Sequence, residues 1–104
     1  MTITDMQKRA LEVAEKYNTA NQAAGREIWD ASAYMAGFVG DVGDLSKLIM
    51  ASANYRQLDD TDTKIAHELS DCLWSVLILA HEFNIELEQS FDRTMKEIEG
   101  KLTS

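Results

Sequence analysis

The sequence predicts an all-α protein, a single-domain four-helix bundle spanning residues 1–104. Three observations predict it. Apolar residues recur three or four positions apart through four separate stretches, the period of a helix with one buried face. No stretch alternates apolar and polar residues as a half-buried strand does. The 104 residues include no proline, the residue that breaks long helices. Hydrophobic residues make up 45% and charged residues 27%, enough for one modest core.

The first helix is expected over about residues 3–22, where Ile3, Met6, Ala10, Val13 and Tyr17 share a face. Thr4 and Gln7 have capping-box spacing, and NQAAG ends the helix with Gly25 as the cap. The second follows Asp30 or Ser32 as N-cap and covers about residues 32–54. Tyr34, Phe38, Val42, Leu45 and Ile49 keep their register straight through GFVGDVGD, residues 37–44. Its three glycines each cost a helix about 1 kcal/mol relative to alanine. A loop, however, has no reason to preserve the register on both sides, so the stretch is expected to be helical.

YRQLDDTDT, residues 55–63, is the expected connection, with Asp60, Thr61 or Asp62 capping the third helix, about residues 63–83. That helix is apolar around most of its circumference, through Ile65, Leu69, Cys72, Leu73, Val76, Leu77, Leu79, Ala80 and Phe83. Such a helix is expected to be buried on several sides. More apolar surface than one small bundle can cover predicts a homo-oligomer. Its one polar stripe is Lys64, Glu68, Asp71, Ser75 and Glu82, and Asn84 ends it. The fourth helix, about residues 86–101, is expected to bury Leu87, Phe91, Met95 and Ile98.

Charge and cysteine content narrow the function. A formal net charge of −8 argues against a nucleic-acid backbone or an anionic membrane as partner. It leaves room for a phosphorylated ligand bridged by divalent metal. Cys72 is the only cysteine, which rules out an intrachain disulfide and predicts a cytoplasmic setting. The first sixteen residues mix charge into the apolar pattern, unlike a secretory signal. The apolar run over residues 72–80 is too short to span a bilayer.

GFVGDVGDLSK fails the loop motifs it suggests. No Gly-Lys-Ser/Thr follows, as a P-loop needs. Counted from Asp41, the third and fifth positions are Gly43 and Leu45, which cannot ligate calcium in an EF-hand. Neither His67 nor His81 has a glutamate three residues before it, so no di-iron motif is present. What remains is two acid pairs at helical i,i+3 spacing: Asp41 with Asp44, and Glu68 with Asp71. If the second and third helices pack antiparallel, the pairs face each other. Carboxylates gathered there repel and their pKa values rise. A hard divalent cation relieves both effects, and Mg²⁺, with Mn²⁺ as substitute, suits carboxylate, water and phosphate oxygens. Lys64 is expected to pair with Glu68 across one turn. Cys72 is expected to be a small buried apolar residue, and the histidines are given no role.

DVGDLSK (41–47), HELSDCLW (67–74) and NIELEQSF (84–91) together resemble the MazG-type nucleotide pyrophosphohydrolases over roughly residues 30–100. The family pattern is Glu-Glu-x-x-Glu on one helix and Glu-x-x-Asp on the next. Glu68-x-x-Asp71 matches it, whereas Asp41 and Asp44 stand at glutamate positions and Gly40 at the first glutamate. Thr94 falls where a phosphate-binding lysine is common. The resemblance implies an oligomeric all-α fold, a homodimer or tetramer. It further implies Mg²⁺-dependent hydrolysis of nucleoside triphosphates to monophosphate and pyrophosphate, including non-standard nucleotides. Asp41, Asp44, Glu68 and Asp71 would hold the metal, Lys47 would reach a phosphate, and Phe38 or Trp74 would stack the base. With glycine at position 40 the general base is left open among the four acids and a substrate oxygen. The alternative is a MazG-like nucleotide-binding, regulatory or assembly module without hydrolysis.

Overall fold

Thr2 starts the first helix. Its hydroxyl accepts from the Asp5 backbone N–H at 3.1 Å, and the Asp5 carboxylate accepts from the Thr2 N–H at 3.0 Å. This reciprocal capping box opens helix α1, Ile3–Ala23. The box lies two residues before the expected Thr4–Gln7 pair, because Thr2 is the residue with extended backbone. At the other end Gly25 takes φ +74°. The Gly25 and Arg26 N–H groups donate back to the Gln22 and Asn21 carbonyls at 3.1 and 2.7 Å. That is a Schellman ending, and it needs the left-handed conformation glycine supplies. Asp30, rather than Ser32, caps helix α2, Ala31–Ala53, its carboxylate accepting from the Ala33 N–H at 2.9 Å.

The computed structural model describes residues 1–53 and 61–103. The expected cap Asp60, residue 54 and most of the expected connection lie outside the described residues. Helix α3 runs Thr61–Glu82, so residues 61–63 are helix rather than connection. Asp62 sits in its first turn, where a negative charge favours the helix dipole. Asn84 ends α3 in the left-handed region at φ 53°. The Asn84 and Ile85 N–H groups donate to the His81 and Ala80 carbonyls, a second Schellman ending. Helix α4 is Leu87–Thr103. Among the described residues there are four helices and no strand, and no helix is long and apolar enough to cross a membrane.

GFVGDVGD lies wholly inside α2. No neighbour stands within 4 Å of where a Cβ would sit on Gly40 or Gly43, and at Gly37 the nearest atom is on the Trp29 ring, 3.7 Å away. Among the described residues, then, the glycines are not needed for close approach.

Helix α3 is central. Helix α2 packs against it extensively and α1 less so, whereas α4 has no comparable contact with any other helix. The buried core is small: Ala10, Ala14, Tyr34, Leu77 and Ile78. Beside it Tyr17, Trp29, Tyr34 and Trp74 form a chain of ring contacts with centroids 5.4–6.4 Å apart. Two side chains tie α1 to α3 directly. The Trp74 indole N–H donates to the Ala10 carbonyl at 3.1 Å, and the Gln7 amide donates to the Leu77 carbonyl at 3.2 Å.

Several residues expected in the core are not there. Leu69 and Phe83 on α3 are 52% and 65% exposed, and Phe91, Met95 and Ile98 on α4 are exposed as well. On α2 the face towards α3 is Tyr34, Phe38, Asp41, Leu45 and Leu48, while Val42 and Ile49 point outward. The radius of gyration is 16.7 Å, against about 13 Å for a compact domain of this length.

Trp74→Phe removes the indole donor and part of the aromatic packing. It should cost about 1–3 kcal/mol in urea unfolding. Gly40→Ala, in open space inside a helix, should instead add up to about 1 kcal/mol in the same assay.

Candidate metal centre

The antiparallel course of α2 and α3 follows from their contacts: Tyr34 meets Trp74, and seven residues later Asp41 comes beside Glu68. At 3.6 residues per turn, i,i+3 spacing puts both acids of each helix on one side. The Tyr34–Trp74 ring contact, centroids 5.5 Å apart, marks the register that brings the two sides together.

The four acids converge as two overlapping groups that share Glu68. One ligand atom each from Asp41, Asp44 and Glu68 lies within 4.8 Å of the others, and the same holds for His67, Glu68 and Asp71. Asp41, Glu68 and Asp71 are half-buried, and Asp44 is exposed. Glu68 Oε2 is shielded from solvent and has no hydrogen-bond partner. Among the described residues no ion pair joins Lys64 to Glu68, contrary to the expected one-turn pair. An unsatisfied carboxylate oxygen aimed into a cluster of acids is costly without a cation.

The electrostatics agree with the geometry. Burial raises the Asp41 pKa above the ordinary carboxylate value, and the negative charges of Asp71 and Asp44 raise it further. Glu68 is raised first by desolvation and then by Asp41, Asp71 and Asp44. His67 opposes both shifts. The Cys72 thiol, half-buried rather than fully buried, is also raised, first by desolvation and then by the same acids.

His67 is the site residue that sequence reasoning missed. Its Nε2 lies 3.2 Å from Asp71 Oδ2. The available signal was the i,i+4 spacing of His67 and Asp71 on one helix face. With it the cluster offers oxygen ligands plus one imidazole nitrogen.

The other predicted residues lie at different distances from this cluster. Lys47 is exposed, one turn beyond Asp44, and Phe38 is half-buried, one turn before Asp41. Trp74 belongs to the aromatic cluster and spends its N–H on α1. A second concavity, about 380 Å³, opens where α1, α2 and the end of α3 meet, lined by Asn18, Gln22, Trp29, Tyr34, His81 and Glu82 among others. Burial raises the Tyr34 phenol above its ordinary value, with a smaller push from Glu82. Comparison with protein-family models, with curated proteins and with solved structures finds no match.

Because the Asp41 and Glu68 pKa values are raised on folding, their contribution to stability is present below the unfolded carboxylate value. It is lost as pH rises through the folded values. At neutral pH the metal-free chain therefore carries net repulsion here. Glu68→Gln should raise the melting temperature in chelator at neutral pH, and the gain should vanish below about pH 4. An unchanged melting temperature at neutral pH would show that the four acids do not strain the fold.

Proposed function

We propose that this chain is a divalent-metal-dependent nucleoside triphosphate pyrophosphohydrolase, releasing a nucleoside monophosphate and pyrophosphate. The feature that most supports this is the partnerless, solvent-shielded Glu68 oxygen inside a two-helix cluster of carboxylates. The donor set fits Mg²⁺, which takes one or two carboxylates and leaves positions for water and substrate phosphates. Asp41, Asp44, Glu68 and Asp71 would hold it. Mn²⁺ is the natural substitute, because the His67 nitrogen offers a ligand suited to transition metals. The bound ion would supply charge neutralisation at the phosphates and a more acidic water.

The chain's own residues account for the rest. Burial and the neighbouring acids raise the Asp41 and Glu68 carboxyls, and the general base lies among the four acids and a substrate oxygen. The Lys47 ammonium, exposed and one turn from Asp44, would meet a phosphate. Tyr34 precedes Asp41 by seven residues, about 10 Å along the helix. A triphosphate held at the acids would thus place its base near the aromatic-walled concavity. There Asn18 and Glu82 offer polar groups and Trp29 and Tyr34 offer rings. The two segments that bear the four acids, residues 41–47 and 67–74, also carry most of the resemblance to MazG-type pyrophosphohydrolases.

A second reading, a nucleotide-binding module of the same type without turnover, draws on Gly40. That position on α2 presents no side chain where the resembling pattern has a carboxylate. Incubating a nucleotide panel with Mg²⁺ or Mn²⁺ and measuring pyrophosphate decides between them. The enzyme should release pyrophosphate from at least one triphosphate, and Asp71→Asn should lower the rate by roughly 10² or more. Calorimetric binding without release supports the module, and neither binding nor release removes both.

A further inference from the structure

The concavity where α1, α2 and the end of α3 meet is acidic as well as aromatic. Glu15 and Glu82 stand on its wall with Trp29 and Tyr34. No lysine or arginine is among its described lining residues, and His81 is its one basic side chain. Trp29 keeps 40% of its surface exposed although Tyr17 stacks against it. The Asn18 side-chain oxygen accepts from the Trp29 backbone N–H at 3.2 Å, which ties Trp29 to α1.

Tyr34 supplies an independent sign of a ligand. The residue is 3% exposed, yet its hydroxyl has no hydrogen-bond partner among the described residues. Unlike the Glu68 oxygen, that hydroxyl is not sealed from solvent, so it opens into the concavity that Tyr34 lines. A nearly buried phenol that bonds to nothing in its own chain has its hydroxyl free for a bound molecule. Burial raises this phenol and the Glu82 charge adds to the push, so the carboxylate and the hydroxyl act on the same space.

These groups share one preference. The face of an indole or phenol ring is negative and attracts a cation. Ionised carboxylates accept hydrogen bonds and offer none. A neutral flat ring gains stacking here. A cation of the same shape gains stacking, attraction to the rings and the charge of two carboxylates.

We propose that this concavity binds a flat organic cation, a ring with positive charge on nitrogen, in preference to a neutral ring of the same shape. The preference does not depend on what the acid cluster holds. One extension rests on the pyrophosphohydrolase reading: where the occupant is a nucleotide's base, a base made cationic by alkylation of a ring nitrogen is taken over its neutral parent.

The probes are 1-methylnicotinamide and nicotinamide, which differ by one methyl group and one positive charge. Each is titrated into the full chain in chelator at about pH 8, above the ordinary imidazole range, and the Trp29 indole N–H is followed by NMR. The cation should saturate the shift at roughly tenfold lower concentration. Glu15→Gln with Glu82→Gln should remove that preference. Both side chains are exposed, so the fold should persist. Tyr34→Phe keeps the ring, deletes the hydroxyl and should weaken binding roughly threefold. Glu12→Gln removes an exposed acid that pairs with Arg9 and is off this wall. It should change nothing, because the attraction is local rather than a product of net charge. Equal affinity for the two probes, a preference that survives the double substitution, or an equal loss in Glu12→Gln would each overturn the proposal. Pyrophosphate release from 1-methyladenosine triphosphate and from ATP, with Mg²⁺, then identifies the source of the cation. Faster release from the alkylated nucleotide makes the occupant a substrate base; equal release, with the chelator result intact, makes it a separate small cation. Release from neither sinks the hydrolysis reading and leaves the titration in chelator to judge the concavity.

Discussion

The antiparallel contact between α2 and α3 is the constraint on which the other features rest. One register serves two opposed purposes. At one end it buries Tyr34 in the core cluster beside Trp74, a gain of apolar burial. Two turns away the same register brings Asp41 against Glu68, an electrostatic cost. Neither helix can slide to relieve the acids without pulling the tyrosine out of the core. The chain therefore holds its carboxylates together by packing them there, much as preorganised sites hold like charges for a ligand to neutralise.

The same contact explains why α3 sits at the centre of so small a core. Ala10 and Ala14 present small side chains to α3, letting α1 approach closely enough for the Trp74 N–H to reach a backbone carbonyl. Close approach replaces bulk here: a core with Ile78 as its one large fully buried side chain is assisted by directional bonds from Trp74 and Gln7.

Four helices were legible in the sequence because their periodicity is local. The glycine-rich stretch was legible for the same reason, since register outweighs propensity when the flanking residues agree. The Asn84 ending was legible too, because few residues accept a left-handed backbone. What the pattern does not carry is the identity of whatever covers an apolar face. Phe91 and Ile98 have the spacing of core residues and are exposed; Val42 and Ile49 keep helical spacing from Tyr34 but face the other way. At the site, i,i+3 spacing found the four acids. It could not divide them into two groups around Glu68 or bring in His67, because both depend on side-chain direction.

The aromatic cluster has a spectroscopic consequence. Trp29 and Trp74 are the chain's only two tryptophans, and both touch Tyr17 and Tyr34 at the junction of α1, α2 and α3. Intrinsic fluorescence is therefore a local gauge of that junction and is blind to α4, which contributes 17 residues of helix and no indole. Circular dichroism weighs all four helices. Where the two signals separate during unfolding, the gap between them measures how independently α4 melts.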